Sequence, residues 1–158
     1  MKITKFKTIK DDAGLPYLVK IREYEYQGWL SVKLTFNDIV RIMVDTLHIN
    51  KETEEYGYEL CFDVKMRLIG VFEISHGDLK STTMTPREIF QKALWLNAAC
   101  VILVHNHPSG SCKPSNDDEM LYERLRKAGD ILNIPVYDSI VIGDTEAFSI
   151  VGKRTIIW

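Results

Sequence analysis

The pattern of apolar and polar residues along the chain predicts several β-strands. Residues 16–26 are rich in β-forming side chains and alternate in part, and residues 56–63 and 67–74 form two further runs around a tight turn. Residues 98–104 are a continuous apolar run, which is typical of a central strand buried on both faces. A turn is predicted at residues 77–78. The last strands are predicted at residues 135–142, 147–151 and 155–158.

Apolar residues spaced three and four apart predict helices between these strands. The first helix covers residues 37–48, with Asn37 as its predicted N-cap. The second begins after Thr85, where a proline takes the first helical position and Glu88 completes a capping box. A third helix is predicted over residues 115–132. The order β, α, ββ, α, β, α, β, β predicts an α/β fold with a mixed β-sheet flanked by helices.

Composition and charge narrow the class of protein. The chain has 158 residues, of which 46% are hydrophobic and 27% charged, and its formal net charge is -2. This balance argues against a dedicated nucleic-acid module, although four lysines lie within the first ten residues. The sequence shows no run that predicts a membrane span or a signal peptide. Because the three cysteines are scattered, we expect free thiols and a cytoplasmic protein.

The candidate chemistry lies where the central strand ends. His105 and His107 are two residues apart on that strand, so both imidazoles face one side, whereas Asn106 points away. Asp118 lies in the first turn of the helix that opens at Ser115. Two imidazoles and a carboxylate predict a three-ligand zinc site with a fourth position open for water.

Other interpretations of these residues remain open. Ser115 and Asp118 have the spacing of an ordinary capping box, which would use the same carboxylate. Asp117 is a rival ligand one residue away. A hydrolytic site also needs a group that takes and delivers protons, and a nearby glutamate would suit that role.

The spacing of these residues resembles a known signature. His105-x-His107, seven residues, Ser115, two residues and Asp118 is similar to the JAMM motif of the JAB/MPN metalloprotease superfamily. The string from His105 to Gly110 resembles the RadC family more closely, and similar residues occur at 86–88, 97–98 and 140–143.

The resemblance covers residues 35–158 and implies a JAB/MPN-like fold for them. This fold is a mixed β-sheet flanked by helices, with the layered architecture of cytidine deaminases. Residues 1–34 are then an N-terminal extension that contributes a strand packed on the main domain. An exposed edge strand in this extension would make a homodimer reasonable.

The resemblance also implies roles for single residues. His105, His107 and Asp118 would bind Zn²⁺, and Ser115 would help to stabilise the oxyanion of a tetrahedral intermediate. Glu55 would be the general acid/base, with Glu54 and Glu59 as neighbouring alternatives. The choice among them stays open because all three glutamates lie near the start of the same predicted strand.

Three functions follow from the motif and the resemblance. The first is a JAMM-type zinc metallohydrolase that uses activated water to cleave a peptide or isopeptide bond of a protein or peptide substrate. The second is a DNA-associated, RadC-like repair protein. About 50 residues precede Glu55, too few for the DNA-associated helix-hairpin-helix domain of RadC-like proteins, which weakens this alternative. The third is an interaction module with an inert site.

Overall fold

The protein is described by a computed structural model that covers residues 1–28, 34–77 and 84–158. Within these ranges eight strands form a single sheet in the order β2-β1-β4-β3-β5-β6-β7-β8. The strands are β1 (Lys2–Lys10), β2 (Pro16–Glu25), β3 (Tyr56–Phe62), β4 (Leu68–His76), β5 (Cys100–Asn106), β6 (Val136–Ile142), β7 (Glu146–Ser149) and β8 (Arg154–Ile157). The predicted turn at residues 77–78 extends beyond the described residues.

Three α-helices flank the sheet in the described ranges. They are α1 (Phe36–Leu47), α2 (Pro86–Trp95) and α3 (Asn116–Leu132), and a short 3-10 helix (Ile49–Lys51) follows α1. The predicted α/β class with a mixed sheet is therefore confirmed. None of the helices in the part of the chain that the structure describes is both long and apolar enough to cross a lipid bilayer.

The sheet separates two apolar cores because its strands alternate their side chains between two faces. One core joins Ile42 and Met43 of α1 to Leu60 of β3. The other joins Phe90 of α2 and Leu125 of α3 to strand residues on the opposite face. The helices therefore form layers on both sides, with α1 on one face and α2 and α3 on the other.

The N-terminal extension contains two strands where the sequence predicted one. β1 pairs antiparallel with β2, from Lys2↔Glu25 to Lys10↔Pro16, and parallel with β4 at Lys5↔Val71 and Phe6↔Phe72. Four of the nine β1 residues are lysines, and Ile3 is the single fully buried residue of the strand. The sequence of β1 therefore shows no clear alternation of apolar and polar residues. The hairpin thus continues the main sheet and places β2 at its outer edge.

The cap of α1 also differs from the prediction. The N-cap is Thr35, not Asn37, and Asp38 forms the reciprocal half of a capping box. The threonine hydroxyl accepts a hydrogen bond from the Asp38 amide. A cap at Asn37 would begin the helix two residues later and make it shorter. The predicted capping box of Thr85 and Glu88 on α2 is present.

β5 occupies the centre of the sheet and positions the candidate site. It pairs antiparallel with β3 and parallel with β6, and all seven of its residues are buried. Because β5 and β6 are parallel, α3 must cross back between them, so its N-terminus lies near the carboxyl end of β5. This crossover brings the histidines at the end of β5 to the first turn of α3.

Candidate metal centre

The two histidines converge at the carboxyl end of β5, where His105 is in the strand and His107 directly follows it. His105 is 6% exposed, and its Nε2 atom lies 3.2 Å from the Nε2 atom of His107. The residues of β5 two and four positions before His105 belong to the core beneath α2 and α3. Both imidazoles therefore face the α3 side of the sheet.

Asp118 faces both imidazoles from the first turn of α3. Its Oδ1 lies 3.3 Å from His105 Nε2 and its Oδ2 lies 3.4 Å from His107 Nε2. Oδ2 also accepts hydrogen bonds from the Ser115 amide and hydroxyl, each at 2.7 Å. The carboxylate therefore serves the capping box and the histidine pair together, and the capping box orients it toward the rings.

Glu55 lies at the same place, immediately before β3. Its Oε1 is 3.9 Å from His107 Nε2, and its side chain is 19% exposed. Glu54 instead contacts His76 at 2.5 Å on the surface. Glu59, four residues after Glu55, is fully buried within β3. Of the three candidate glutamates, Glu55 is the one whose carboxylate reaches the histidines.

A backbone carbonyl orients His107. The imidazole Nδ1 donates a hydrogen bond to the Ser111 carbonyl at 3.0 Å, which leaves Nε2 as the nitrogen directed at Asp118. The loop that carries Ser111 turns at Gly110, whose φ of 81° lies in the left-handed region. A Cβ on Gly143 would lie 2.2 Å from the Gly110 carbonyl oxygen, so this loop packs directly against the end of β6.

The charges of the cluster stabilise one another. Burial opposes ionisation of Asp118, but hydrogen bonds from His105 and His107, with the further help of the charge of His105 and of a hydrogen bond from Ser115, hold its pKa well below the ordinary range. The hydrogen bond to Asp118 in turn raises the pKa of His107, against the opposing effect of burial. An ionised carboxylate attracts a cation, and the two imidazoles can ligate that cation once they are neutral.

Comparison with known families shows which family the chain belongs to. Residues 35–155 match the family model described as "RadC-like JAB domain". The chain belongs to this family. The resemblance inferred from the string His105 to Gly110 and from the spacing to Asp118 is therefore confirmed.

Relatives of the RadC-like JAB domain in three bacteria carry the name UPF0758 protein. The chain is 44% identical over 100 residues to the protein of Geotalea uraniireducens, which covers 63% of this chain and 44% of that one. It is 45% identical over 99 residues to the Geobacter sulfurreducens protein, with 63% and 43% covered. It is 38% identical over 112 residues to the Clostridioides difficile protein, with 71% and 47% covered. The matched region spans less than half of each relative.

The JAB domain brings four metal-ligating side chains together. Glu55, His105, His107 and Asp118 each offer one atom, and these atoms all lie within 4.8 Å of one another. Asp117, the rival ligand, is outside this group, which is drawn from the described residues. The four side chains could hold a metal ion.

Two features of this centre were not visible in the spacing of the motif. The Ser111 carbonyl is a backbone group in a loop, and sequence patterns do not show where its lone pairs point. Asn106 makes its contacts with residues about fifty positions earlier in the chain, at 54 and 56. The signal for Asn106 that the sequence offered was its position: it is a polar residue between two candidate ligands, directly after an apolar run.

Proposed function

We propose that this chain is a JAMM-type zinc hydrolase that cleaves a peptide or isopeptide bond in a protein or peptide substrate. The observation that carries the proposal is the convergence of His105, His107 and Asp118 with Glu55 beside them. The RadC-like JAB family supports the same class, since hydrolases are common in the wider JAB/MPN superfamily.

The separation of the two imidazole nitrogens fits two ligands of a tetrahedral zinc site. With zinc–ligand bonds of about 2.0–2.1 Å, two ligands of a tetrahedron lie about 3.3 Å apart. The two imidazole Nε2 atoms are 3.2 Å apart, and Asp118 presents a different oxygen to each ring, Oδ1 at 3.3 Å from His105 and Oδ2 at 3.4 Å from His107. Glu55 lies further out, 3.9 Å from His107, which suits a carboxylate that acts on water instead of ligating. Two imidazoles and one carboxylate are also the ligand types of open, catalytic zinc sites.

In the proposed chemistry, proton transfer and charge stabilisation are carried out by different groups. A zinc ion held by the three ligands would supply Lewis acidity, polarising a carbonyl oxygen and lowering the pKa of water to about 7. Glu55 accepts a proton from the water whose oxygen attacks the carbonyl carbon. It then donates that proton to the amine nitrogen as the carbon–nitrogen bond breaks, so the carboxylate is regenerated in each turnover.

The proposed role of Ser115 requires a change of hydrogen-bond direction. Its hydroxyl donates to Asp118 Oδ2 at 2.7 Å and accepts from the Asp118 amide at 3.2 Å. A hydroxyl has one proton, so it can donate to an oxyanion when it turns away from Asp118. In the arrangement described, Ser115 orients a ligand, and its help to the oxyanion stays a prediction.

The first experiment measures zinc in the purified chain. We expect about one zinc per chain in the wild type and almost none in His105→Ala, because the site has only three strong ligands. Asp117→Asn is the matched control, since it removes a neighbouring carboxylate outside the cluster and should retain zinc. A wild-type chain that is fully folded at neutral pH yet binds no added zinc would refute the proposal.

The second experiment separates binding from catalysis. Glu55→Gln keeps the size of the side chain but removes the base, so it should retain zinc while losing hydrolysis of peptide and isopeptide libraries by about 100-fold or more. Glu54→Gln, one residue away and paired with His76, should keep activity. Equal activity in the two variants would contradict the assignment of Glu55.

The DNA-associated role has less support from the charges of the N-terminal strands. Lys2 pairs with Glu23 at 2.9 Å and Lys5 pairs with Glu73 at 2.7 Å, so two of the four early lysines already face carboxylates. This alternative predicts DNA binding that weakens steeply with salt. Its absence at low salt would leave the hydrolase as the better proposal.

A further inference from the structure

Asn106 lies between the two candidate ligand histidines, but its side chain leaves β5 on the opposite face. It is 2% exposed, and both ends of its amide are used. Oδ1 accepts a hydrogen bond from the Tyr56 amide at 2.7 Å, and Nδ2 donates to the Glu54 carbonyl at 3.0 Å. The side chain therefore bonds the main chain on both sides of Glu55.

The segment held by Asn106 lies where β3 begins. The Glu55 carbonyl accepts a hydrogen bond from the Gly77 amide at 2.9 Å, and the first pair between β3 and β5 is Gly57↔His105. A strand end has few ladder bonds, so its backbone is prone to fraying unless side chains hold it. The asparagine amide supplies two bonds at the position where the ladder stops.

We propose that Asn106 is a positioning residue that sets the place of Glu55 relative to the histidine pair. The inference rests on the proposed function of Glu55 and adds how the chain fixes that carboxylate. Consecutive residues at the end of β5 then have different roles, since His105 and His107 face the metal side while Asn106 holds the backbone around Glu55, the proposed proton carrier. We therefore expect the Glu55 carboxylate to shift when the side-chain amide of Asn106 is removed.

The chemistry of the position favours an amide over other side chains. An asparagine both accepts and donates from one rigid planar group, whereas an aspartate has no donor for the Glu54 carbonyl. A hydroxyl can also accept and donate, but both bonds then share one oxygen on a shorter side chain, and an apolar residue leaves two backbone groups without partners in a buried place. Ordinary strand packing needs none of these properties.

The first arm of the test follows the exchange of single backbone amides by NMR. In Asn106→Ala the Tyr56 amide should exchange about tenfold faster, since it loses its acceptor. The Leu60 amide, in the middle of β3, should keep its rate and so report that the sheet is intact. Unchanged exchange at Tyr56 in a folded variant would overturn the proposal.

The second arm asks whether Asn106 acts through Glu55. The dissociation constant for Zn²⁺ is measured by competition with a chromophoric chelator in the wild type, Asn106→Ala, Glu55→Gln and the double variant. Glu55 would be an outer-shell partner of the proposed site, 3.9 Å from His107, and loss of such a partner weakens zinc binding by about 10–100-fold although the three ligands still hold the ion. We expect the low end of this range for Asn106→Ala, and less than about a twofold effect once Glu55 is already glutamine.

The outcomes of the two arms separate this inference from the proposed function. An equal effect of Asn106→Ala in both backgrounds would mean that it acts on the histidines through β5, which contradicts the inference. If the wild type binds no zinc, the proposed function fails, and the exchange of Tyr56 alone decides whether Asn106 holds the segment. Asn106→Thr, a β-branched residue suited to a strand, replaces the alanine variant if that one does not fold, and should show smaller changes of the same sign.

Discussion

The carboxyl end of β5 and the N-terminal hairpin of β1 and β2 both carry many polar side chains, but they use them differently. At the end of β5, His105, Asn106 and Asp118 are each at most 6% exposed, and each has partners. In the hairpin, the Lys2 side chain is 67% exposed, although it pairs with Glu23. Burial of converging polar groups is costly unless the arrangement satisfies them, so the first region has the properties of a site.

The largest effect that would test this contrast is expected at Asp118. Asp118→Ala removes a proposed ligand, the acceptor of two Ser115 hydrogen bonds and the partner of both imidazoles. Zinc binding should be lost, and α3 should lose its capping box. Metal analysis and chemical denaturation of the metal-free chain measure the two consequences separately. Retention of stoichiometric zinc would break the contrast, because the buried cluster would then not be the binding site.

Glu59 tests whether burial alone makes a polar group functional. It is fully buried on β3, and its Oε2 has no hydrogen-bond partner among the described residues. Burial raises its pKa from 4.5 to about 8, against the weaker opposing effects of Lys92 and Cys61. The group lies close to the centre in sequence but outside the four converging side chains.

The raised pKa of Glu59 makes stability depend on pH. Between pH 5 and about 8 the folded chain keeps a proton that the unfolded chain has lost, so the free energy of unfolding falls as pH rises. The loss is on the order of 5 kcal/mol and is complete above the folded pKa. Glu59→Gln should flatten this part of the profile in urea denaturation, whereas Glu54→Gln should not. A wild-type profile without this slope would show that Glu59 is better solvated than its burial indicates.

A smaller effect is expected at Ser115, which orients Asp118 without joining the four converging side chains. Ser115→Ala should lower the stability of the metal-free chain by about 1 kcal/mol through loss of the N-cap. It should also weaken zinc binding by about 10-fold, because Asp118 loses the hydroxyl that directs it. Ser115→Thr retains a capping hydroxyl and should restore most of both. Failure of threonine to restore either property would indicate a different role for the hydroxyl.

The smallest effect is expected in the hairpin. Lys2→Ala removes an exposed ion pair with Glu23, and such pairs contribute little because water and salt screen them. Zinc content and the denaturation midpoint should both match the wild type within error. A marked loss of zinc in this variant would mean that the hairpin takes part in the site. The hairpin and the end of β5 would then not differ in function as described above.

Most of the fold could be predicted because helix and strand periods are local properties of the chain. The capping box at Thr85 and the buried run of β5 are examples in which neighbouring residues contain the whole signal. β1 was missed because its lysines hide the alternation, and its parallel pairing with β4 joins residues more than sixty positions apart. Thr35 was missed as the cap because the helix begins at Phe36, ahead of the apolar positions from Ile39 onward that were used to place it.

The sequence by itself determined the family, the α/β class and the spacing that lets His105, His107 and Asp118 meet. Tertiary structure decided which glutamate stands beside them and that Asn106 bonds the chain around Glu55. The physical reason is range: alternation and capping act over a few residues, whereas the contacts of Asn106 cross from β5 to the start of β3. Such contacts exist only once the sheet has brought distant segments of the chain side by side.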